Sequence, residues 1–381
     1  MQNEPTADRT GIPFFNEEEL SVVPLTRAET IPASWYTDER ILNVEREHIF
    51  DHAWQYVGHE CMIPSPGDCH PAGIAGKPVV VVRVNDGSIR AFYNVCRHRG
   101  GPLAMEDCSS RMLQCKYHGW TYTLDGQLRG VPKFDRTDLF DKKDYGLHQI
   151  PIRSFGGLLF VNPDEHAPKL TEFLKGIRER IAPVDFSGFR FYRRVEYAIR
   201  CNWKVYVDNY LEGYHVPLVH PGLSTILDYA RYSTEVSDYY SLQHTPLSEE
   251  AHSYGVERGG HAYYYHIFPN IMLNILPGRL QTNVVLPQGV DRTSVIFEYF
   301  YADMSASALP KIESDIRSGD LIQQEDIGIC ERVQEGLESR VYHKGRFSPE
   351  MEEGVYHFQV LLKRALSKAI VTVNNENGDS E

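Results

Sequence analysis

Cys96-Arg97-His98-Arg99-Gly100-Gly101-Pro102-Leu103 and, with sixteen residues between His98 and its first cysteine, Cys115-Lys116-Tyr117-His118-Gly119-Trp120 are the stretches on which the reading of this chain turns. Each sets one Cys and one His at short spacing on a loop after a β-rich run, so the two loops can wrap opposite sides of one compact metal centre. A structural zinc site also accepts two Cys and two His in a tetrahedron. Zinc sites commonly draw on Cys-x-x-Cys pairs, whereas one Cys and one His from each loop suit a binuclear cluster. There, two thiolates hold one iron and two imidazoles the other.

The flanks of these loops read as β structure. Pro78 to Val84 is expected to be a strand, Asn85-Asp86-Gly87 a turn and Ile89 to Val95 the returning strand. A second hairpin is expected from Trp120 to Gly130, turning at Asp125-Gly126, and Gly157 to Val161 reads as a buried strand closing a small β domain. Upstream, residues 1 to about 50 form a leader with a helical apolar spacing from Asp38 to Trp54 (Ile41, Val44, His48, Ile49). Downstream, Leu170 to Ile181 reads as a helix, Phe189 to Arg200 as a strand and Asn202 to His220 as a helix carrying aromatics. Strands at Tyr263 to Leu276, Leu280 to Pro287 and Ser294 to Ala302 suggest an antiparallel meander. Long helices are expected from Pro310 to Gly336 and from Pro349 to Ser367, with a polar, disordered tail over 371–381.

The length of 381 residues calls for more than one domain, and 42% hydrophobic with 24% charged residues is ordinary globular usage. Asp plus Glu outnumber Lys plus Arg by 52 to 39, a formal charge of −13, which disfavours nucleic acid and anionic membranes as partners. A basic redox partner or a cationic substrate fits better. No apolar run approaches the roughly 18–20 residues of a membrane span, and the N-terminus lacks a charged-then-apolar signal pattern, so a cytoplasmic location is expected. Seven cysteines are too sparse and odd a set for a disulfide framework. Cys108, between the two loops, is expected to be a buried free thiol.

A second constellation lies in Asn202 to Pro221, where Asp208, Glu212, His215 and His220 fall within thirteen residues. Glu212 and His215 share a helix face. His215 and His220, five apart, sit about 140° apart on a straight helix, and a kink or π-type bulge at Pro217 is expected to swing them together. Two imidazoles with one carboxylate and open positions are the ligand set of non-haem Fe(II) oxygenases; a pair of satisfied histidines at a kinked helix end is the plainer reading. By chemistry alone Asp208, Glu212, Glu325 or Asp326 supplies the acid.

The first constellation resembles the Rieske proteins, through the Cys, His and Gly residues of both loops taken in order. By that resemblance Cys96 and Cys115 bind one iron of a [2Fe-2S] cluster and His98 and His118 the other. Gly101 and Tyr117 stand where Rieske proteins of respiratory complexes carry a disulfide, so the sequence is similar to the oxygenase branch instead. Both constellations together, over about 35 to 365, resemble the terminal oxygenase α-subunits of the Rieske non-haem iron family. The resemblance implies His215 and His220 as ligands of the mononuclear Fe(II). It implies Asp326 as the third ligand, from the run Gln324-Glu325-Asp326 through Glu331, Gln334, Gly336 and Leu337. It also implies that Glu212 links an iron-ligand histidine to a cluster histidine of a neighbouring subunit, in a homotrimer.

The fold class so implied is α+β: a small all-β Rieske domain (51–163) inserted in a helix-grip-like catalytic domain with an antiparallel sheet and flanking helices (1–50 and 164–370). Electrons would come from an NAD(P)H-dependent reductase or ferredoxin, with NAD(P)H and flavin acting only through that partner, and the activated O2 would oxidise a small molecule. Glu212 and the run Asp208 to Pro221 are similar to the choline, glycine betaine and carnitine monooxygenases, which oxidise quaternary ammonium compounds. A trimethylammonium group calls for an aromatic cage, and His261 to Phe268, with Tyr263, Tyr264 and Tyr265, offers candidates. Ordinary sheet packing is the plainer role for those rings. An aromatic-ring or aromatic-acid hydroxylase is the alternative substrate reading. A Rieske electron carrier, the alternative of another class, would need neither His215, His220 nor Asp326.

Overall fold

In the computed structural model, which describes residues 15–223, 231–247 and 260–378, two compact units are seen. One is His52–Tyr192, and the other joins Met1–Asp51 to Arg193–Glu381. The first is built of eleven strands: β1 (Gln55–His59), β2 (Asp68–Ile74), β3 (Lys77–Arg83), β4 (Ile89–Tyr93), β5 (Cys108–Ser109), β6 (Leu113–Gln114), β7 (Thr121–Tyr122), β8 (Leu128–Gly130), β9 (Gln149–Ile150), β10 (Ile152–Phe155) and β11 (Leu158–Val161). They form sheets ordered β5-β2-β3-β4-β9, β6-β7-β8 and β1-β11-β10. The valine run of β3 explains the layering. Alternate side chains of a strand face opposite ways: Val80 and Val82 pack with Cys96, Cys115, Trp120 and Tyr122, while Val79 and Val81 pack with Val57, Ile63, Leu159 and Val161. The metal loops therefore stand on one of two apolar layers.

The second unit is organised by seven strands, β12 (Arg190–Ile199), β13 (Ser233–Val236), β14 (Tyr240–Pro246), β15 (His261–Ile267), β16 (Ile271–Leu276), β17 (Arg279–Gly289) and β18 (Arg292–Tyr301). β13 to β18 pair in sequence as an antiparallel meander, and β12 closes the order next to β18. Its principal helices are α1 (Glu39–His48), α2 (Trp203–Tyr210), α3 (Val216–Val219), α4 (Leu309–Glu338) and α5 (Glu353–Gly378). Asp38 caps α1 through the Arg40 amide, and Asn202 caps α2 through the Lys204 amide. α4 packs against both α2 and α3, which brings the second constellation together.

One buried ion pair ties α1 to α2. Lys204 Nζ lies 2.6 Å from Glu45 Oε1 with both side chains at 0% exposure, and Trp203 Nε1 donates to Glu45 Oε2 at 2.8 Å. Removing one partner would leave an uncompensated buried charge, so Glu45→Ala is expected to destabilise the protein by about 3–5 kcal/mol. Denaturant unfolding checks this; a loss under about 1 kcal/mol would show that Lys204 finds another partner or loses its proton.

The α+β class and the antiparallel sheets agree with the sequence reading, and several boundaries do not. Residues 164–192, expected with the catalytic domain, cluster with the β unit. Trp54 Nε1 donates to Pro168 O at 2.8 Å, and Leu170, Phe173, Ile177 and Phe186 are buried there. The helix expected over Leu170 to Ile181 is two pieces, Leu170–Phe173 and Ile177–Ile181, parted at Gly176 with φ 89°. β13 and β14 were not foreseen, because Tyr240–Pro246 lacks a long apolar run. α5 runs on to Gly378, into the stretch from residue 371 that the sequence reading takes as a disordered tail; 379–381 lie outside the described residues.

Candidate metal centres

The two metal loops are built alike. The Cys96 amide donates to Gly101 O at 2.8 Å and Gly100 donates back to Cys96 O at 2.9 Å; Cys115 donates to Trp120 O at 2.9 Å and Gly119 donates back to Cys115 O at 3.0 Å. Gly100 (φ 73°) and Gly119 (φ 75°) occupy left-handed positions that a side chain would strain. Cys96 and Cys115 are each 2% exposed. The His98 and His118 rings stand 4.6 Å apart, and His98 stacks on Trp120 at 4.9 Å. Tyr122 Oη lies 3.2 Å from Cys96 Sγ and accepts the Arg97 amide at 3.0 Å.

Three observations fit a cluster held by these four residues. His98 Nδ1 is buried with no hydrogen-bond partner among the described residues, which is costly unless a metal takes its lone pair. The two thiols come together as free cysteines. A Cβ at Gly101 would stand 2.9 Å from Cys115 Sγ, so that glycine keeps the cradle open.

The second constellation converges by a route other than the one expected. α2 ends at Tyr210, and a new helical turn, Val216–Val219, begins with His215 as its N-cap and ends with His220 as its C-cap. Pro217 lies in the first turn of that segment, where a missing amide costs no hydrogen bond. It starts a helix rather than kinking one, which corrects the sequence expectation. The two rings lie 5.1 Å apart at 75°. Asp326 reaches them from α4: its Oδ1 is 2.9 Å from His220 Nε2 and 3.7 Å from His215 Nε2, and accepts Asn209 Nδ2 at 2.6 Å. One ligand atom from each of His215, His220 and Asp326 falls within 4.8 Å of the others.

Both imidazoles are held at their far nitrogen by a carboxylate. Glu212 Oε1 lies 2.7 Å from His215 Nδ1, and its Oε2 accepts the amides of Tyr214 and, at 3.1 Å, His215. Glu325 Oε2 lies 2.7 Å from His220 Nδ1. A carboxylate there can only accept, so each Nδ1 carries a proton, and each Nε2 is turned toward Asp326, where a proton or a metal ion must stand between the imidazole and the carboxylate. Burial works against a charged His220, but Asp326 and Glu325 outweigh it and raise its proton affinity above the usual imidazole range. That is an anionic field waiting for a cation, which fits an Fe(II) held by His215, His220 and Asp326. Asp208, another candidate acid by chemistry, is committed elsewhere: it accepts Tyr36 Oη at 2.5 Å and Gln359 Nε2, and burial raises its pKa to about 7.

Glu325 was visible in the sequence only as a rival ligand, since nothing in one dimension shows that it takes the other side of His220. Glu325→Ala is expected to weaken iron binding about 10–100-fold and leave the cluster unchanged. Iron titration checks this, and unaltered affinity would remove the orienting role.

Beside the triad lies a cavity of about 170 Å3. Its α4 wall is the stripe Asp315, Ser318, Gly319, Ile322, Gln323 and Asp326, one helix face by spacing. Aromatic walls come from Tyr206, Tyr210, Tyr232, Tyr264 and Phe297. Their hydroxyls are tied back: Tyr206 donates to Gln323 Oε1 (2.7 Å), Tyr210 to Asn274 Oδ1 (2.7 Å) and Tyr232 to Gln243 Oε1 (2.9 Å). Of the rings expected from His261 to Phe268, only Tyr264 lines the cavity. Strand alternation turns Tyr263 and Tyr265 to the other face. Most of the aromatic wall comes from α2 and from strands distant in sequence.

A β unit carrying a two-Cys, two-His cradle and a sheet-and-helix unit carrying two His and an Asp beside a cavity define a protein that joins an iron–sulfur centre to a mononuclear iron. Family comparison agrees: residues 53–151 match the Rieske [2Fe-2S] domain and residues 186–368 the ring hydroxylating alpha subunit (catalytic domain). The chain belongs to the Rieske non-haem iron oxygenases, as an α-subunit with a [2Fe-2S] cluster and a mononuclear iron, and is an oxidoreductase. Chloroplastic choline monooxygenase of Arabidopsis thaliana is 35% identical over 360 residues, covering 90% of this chain and 84% of that protein. The carnitine monooxygenase oxygenase subunit of Escherichia coli K12 is 30% identical over 348 residues, covering 88% and 93%. A solved quaternary ammonium Rieske monooxygenase superposes with a TM-score of 0.82 at 27% identity, covering 89% of this chain and 95% of that one. Naphthalene 1,2-dioxygenase with indole bound superposes at 0.75 with 21% identity over 91% and 94%, a likeness of fold alone.

Proposed function

We propose that this chain is a monooxygenase of small quaternary ammonium compounds, oxidising a carbon next to nitrogen so that the hemiaminal collapses with release of an aldehyde. The observation that carries this reading is the set of five aromatic side chains beside the triad, with no free cation among the described lining residues. Among the described residues three carboxylates line the cavity (Glu212, Asp315, Asp326), and the one guanidinium, Arg279, is paired with Asp315 at 2.7 Å. An Fe(II) at the triad offsets two of those charges. The result is a near-neutral, aromatic space, which suits a trimethylammonium group bound by ring faces better than an anion. Similarity to the choline and carnitine monooxygenases supports the same substrate class.

When bound, the cluster supplies electrons singly and the iron supplies the open positions for O2. The ligands assigned are Cys96, His98, Cys115 and His118 for the cluster, and His215, His220 and Asp326 for the iron. The protein's own part is positional. Glu212 and Glu325 fix the two imidazoles, the anchored tyrosines hold their ring faces in place, and the apolar walls keep water from the reacting carbon. Glu212 also serves as the link to a cluster histidine of a neighbouring subunit in a homotrimer, fed by an NAD(P)H-dependent reductase or ferredoxin in the cytoplasm. Among the described residues, no helix is long and apolar enough to cross a membrane.

The test is a panel of choline, glycine betaine, carnitine and benzoate, with a reductase, reading oxygen uptake and aldehyde release. Aldehyde from a quaternary ammonium compound supports the proposal; oxygen incorporation into benzoate alone sinks it in favour of an aromatic-acid hydroxylase. Iron quantitation separates both from an electron carrier, with about three irons per chain expected against about two.

A further inference from the structure

Of the seven cysteines, Cys96 and Cys115 belong to the cluster cradle, and the remaining five have no part in the chemistry above. Two of these, Cys69 on β2 and Cys108 on β5, are direct partners in an antiparallel ladder. Such partners lie ~4.5–5.5 Å apart at Cα with side chains on one face, within the ~4.4–6.8 Å that a disulfide spans. The Cys108 thiol is near enough to add to the rise in the Cys69 pKa, and Cys69 Sγ itself donates to Gly67 O at 3.4 Å. They differ in access. Cys69 is 1% exposed, whereas Cys108 is exposed on a two-residue edge strand, which corrects the sequence expectation of a buried thiol.

The location gives the pair a consequence. β5 lies in the chain between the two metal loops, ten residues after His98 and seven before Cys115. Residues 105–112 are exposed throughout. They are held to β2 by two ladder pairs, the Ser110 amide on Gly67 O at 2.9 Å and the His70–Asp107 contact at 2.6 Å. A strand this short is among the first to open.

We propose that Cys69 and Cys108 form a peroxide-oxidisable dithiol whose disulfide fastens the strand between the metal loops to β2. The Cys108 thiolate attacks hydrogen peroxide, breaking the O–O bond and giving a sulfenic acid and hydroxide. Cys69 sulfur then attacks the Cys108 sulfur; the S–O bond breaks, and the departing hydroxide takes the Cys69 proton as water. Peroxide is reduced by two electrons and the two thiols are oxidised by two. The order of attack follows from the surroundings, since burial pushes the Cys69 thiol up to about 12 and leaves it the resolving partner. A second thiol contact, Cys201 with Cys330, is an internal control: the two are 0% and 1% exposed, with no outward thiol to receive peroxide.

The test treats the holoenzyme with stoichiometric hydrogen peroxide, blocks remaining thiols with N-ethylmaleimide and maps the peptides. A Cys69–Cys108 linked peptide that disappears with dithiothreitol is expected, with Cys201 and Cys330 still reduced. Amide exchange over 105–112 should slow by about tenfold or more in the oxidised protein. Cys108→Ser should give no linked peptide and no change in exchange, and its iron content before treatment should match the wild type. The proposal is overturned if Cys108 ends as sulfinic acid beside a free Cys69, if Cys201–Cys330 links first, or if exchange over 105–112 is unaltered by oxidation. None of these outcomes depends on the substrate.

Discussion

Asp326→Ala is expected to abolish turnover, by about a thousandfold or more, while the visible spectrum of the [2Fe-2S] cluster stays intact. Asp326 is the hub of the triad: its Oδ1 is 2.9 Å from His220 Nε2, 3.7 Å from His215 Nε2 and 2.6 Å from Asn209 Nδ2. Alanine would leave two imidazoles, each still held by its own carboxylate, with no anion between their Nε2 atoms. Iron should fall from about three to about two per chain. The cluster residues lie in the other unit of the fold, which is why the two losses should separate. Loss of the cluster spectrum in this variant, or normal turnover without the second iron site, would undo the ligand assignment.

Glu212→Gln should retain both metals and slow reoxidation of the cluster, in single turnover with substrate and O2, by about 10–100-fold. The wild-type carboxylate accepts from three donors, the His215 Nδ1–H and the amides of Tyr214 and His215. A glutamine has one acceptor atom. Either its oxygen keeps the imidazole while its NH2 faces two amide N–H groups, or it turns over and releases His215. Iron affinity would fall only modestly in either case, because His220 and Asp326 are untouched. Reoxidation at the wild-type rate would remove the bridging role and leave Glu212 as an orienting group alone.

The sequence was most informative where local chemistry is strict. The metal loops need Gly100 and Gly119 at positive φ and Gly101 to clear a cysteine sulfur, and these requirements sit within a few residues of the ligands. The all-valine core of β3 and the Asn85-Asp86-Gly87 turn were legible for the same reason. The stretch from Asn202 to His220 shows where such reading stops. Its residues were recognised, but α2 ends at Tyr210 and α3 begins at Val216, a break that periodicity smoothed into one helix. The junction at 164–192 was misplaced because its apolar residues say that they are buried and not against which unit.

What the chain alone determined was the inventory: two Cys/His loops, a His-x4-His segment and an acidic run on a long helix, enough to name the family and its metals. Spacing carries that information because each loop's ligands are covalent neighbours. What only the tertiary structure decided was the pairing across distance. Glu325 holds His220, aromatic rings from α2, from Tyr232 just before β13 and from the two strands β15 and β18 line one cavity, and Cys108 stands exposed opposite Cys69. Contacts between residues a hundred positions apart depend on strand register and helix packing, which hydrophobic burial and hydrogen bonding over whole sheets set together, and no short stretch of sequence contains them.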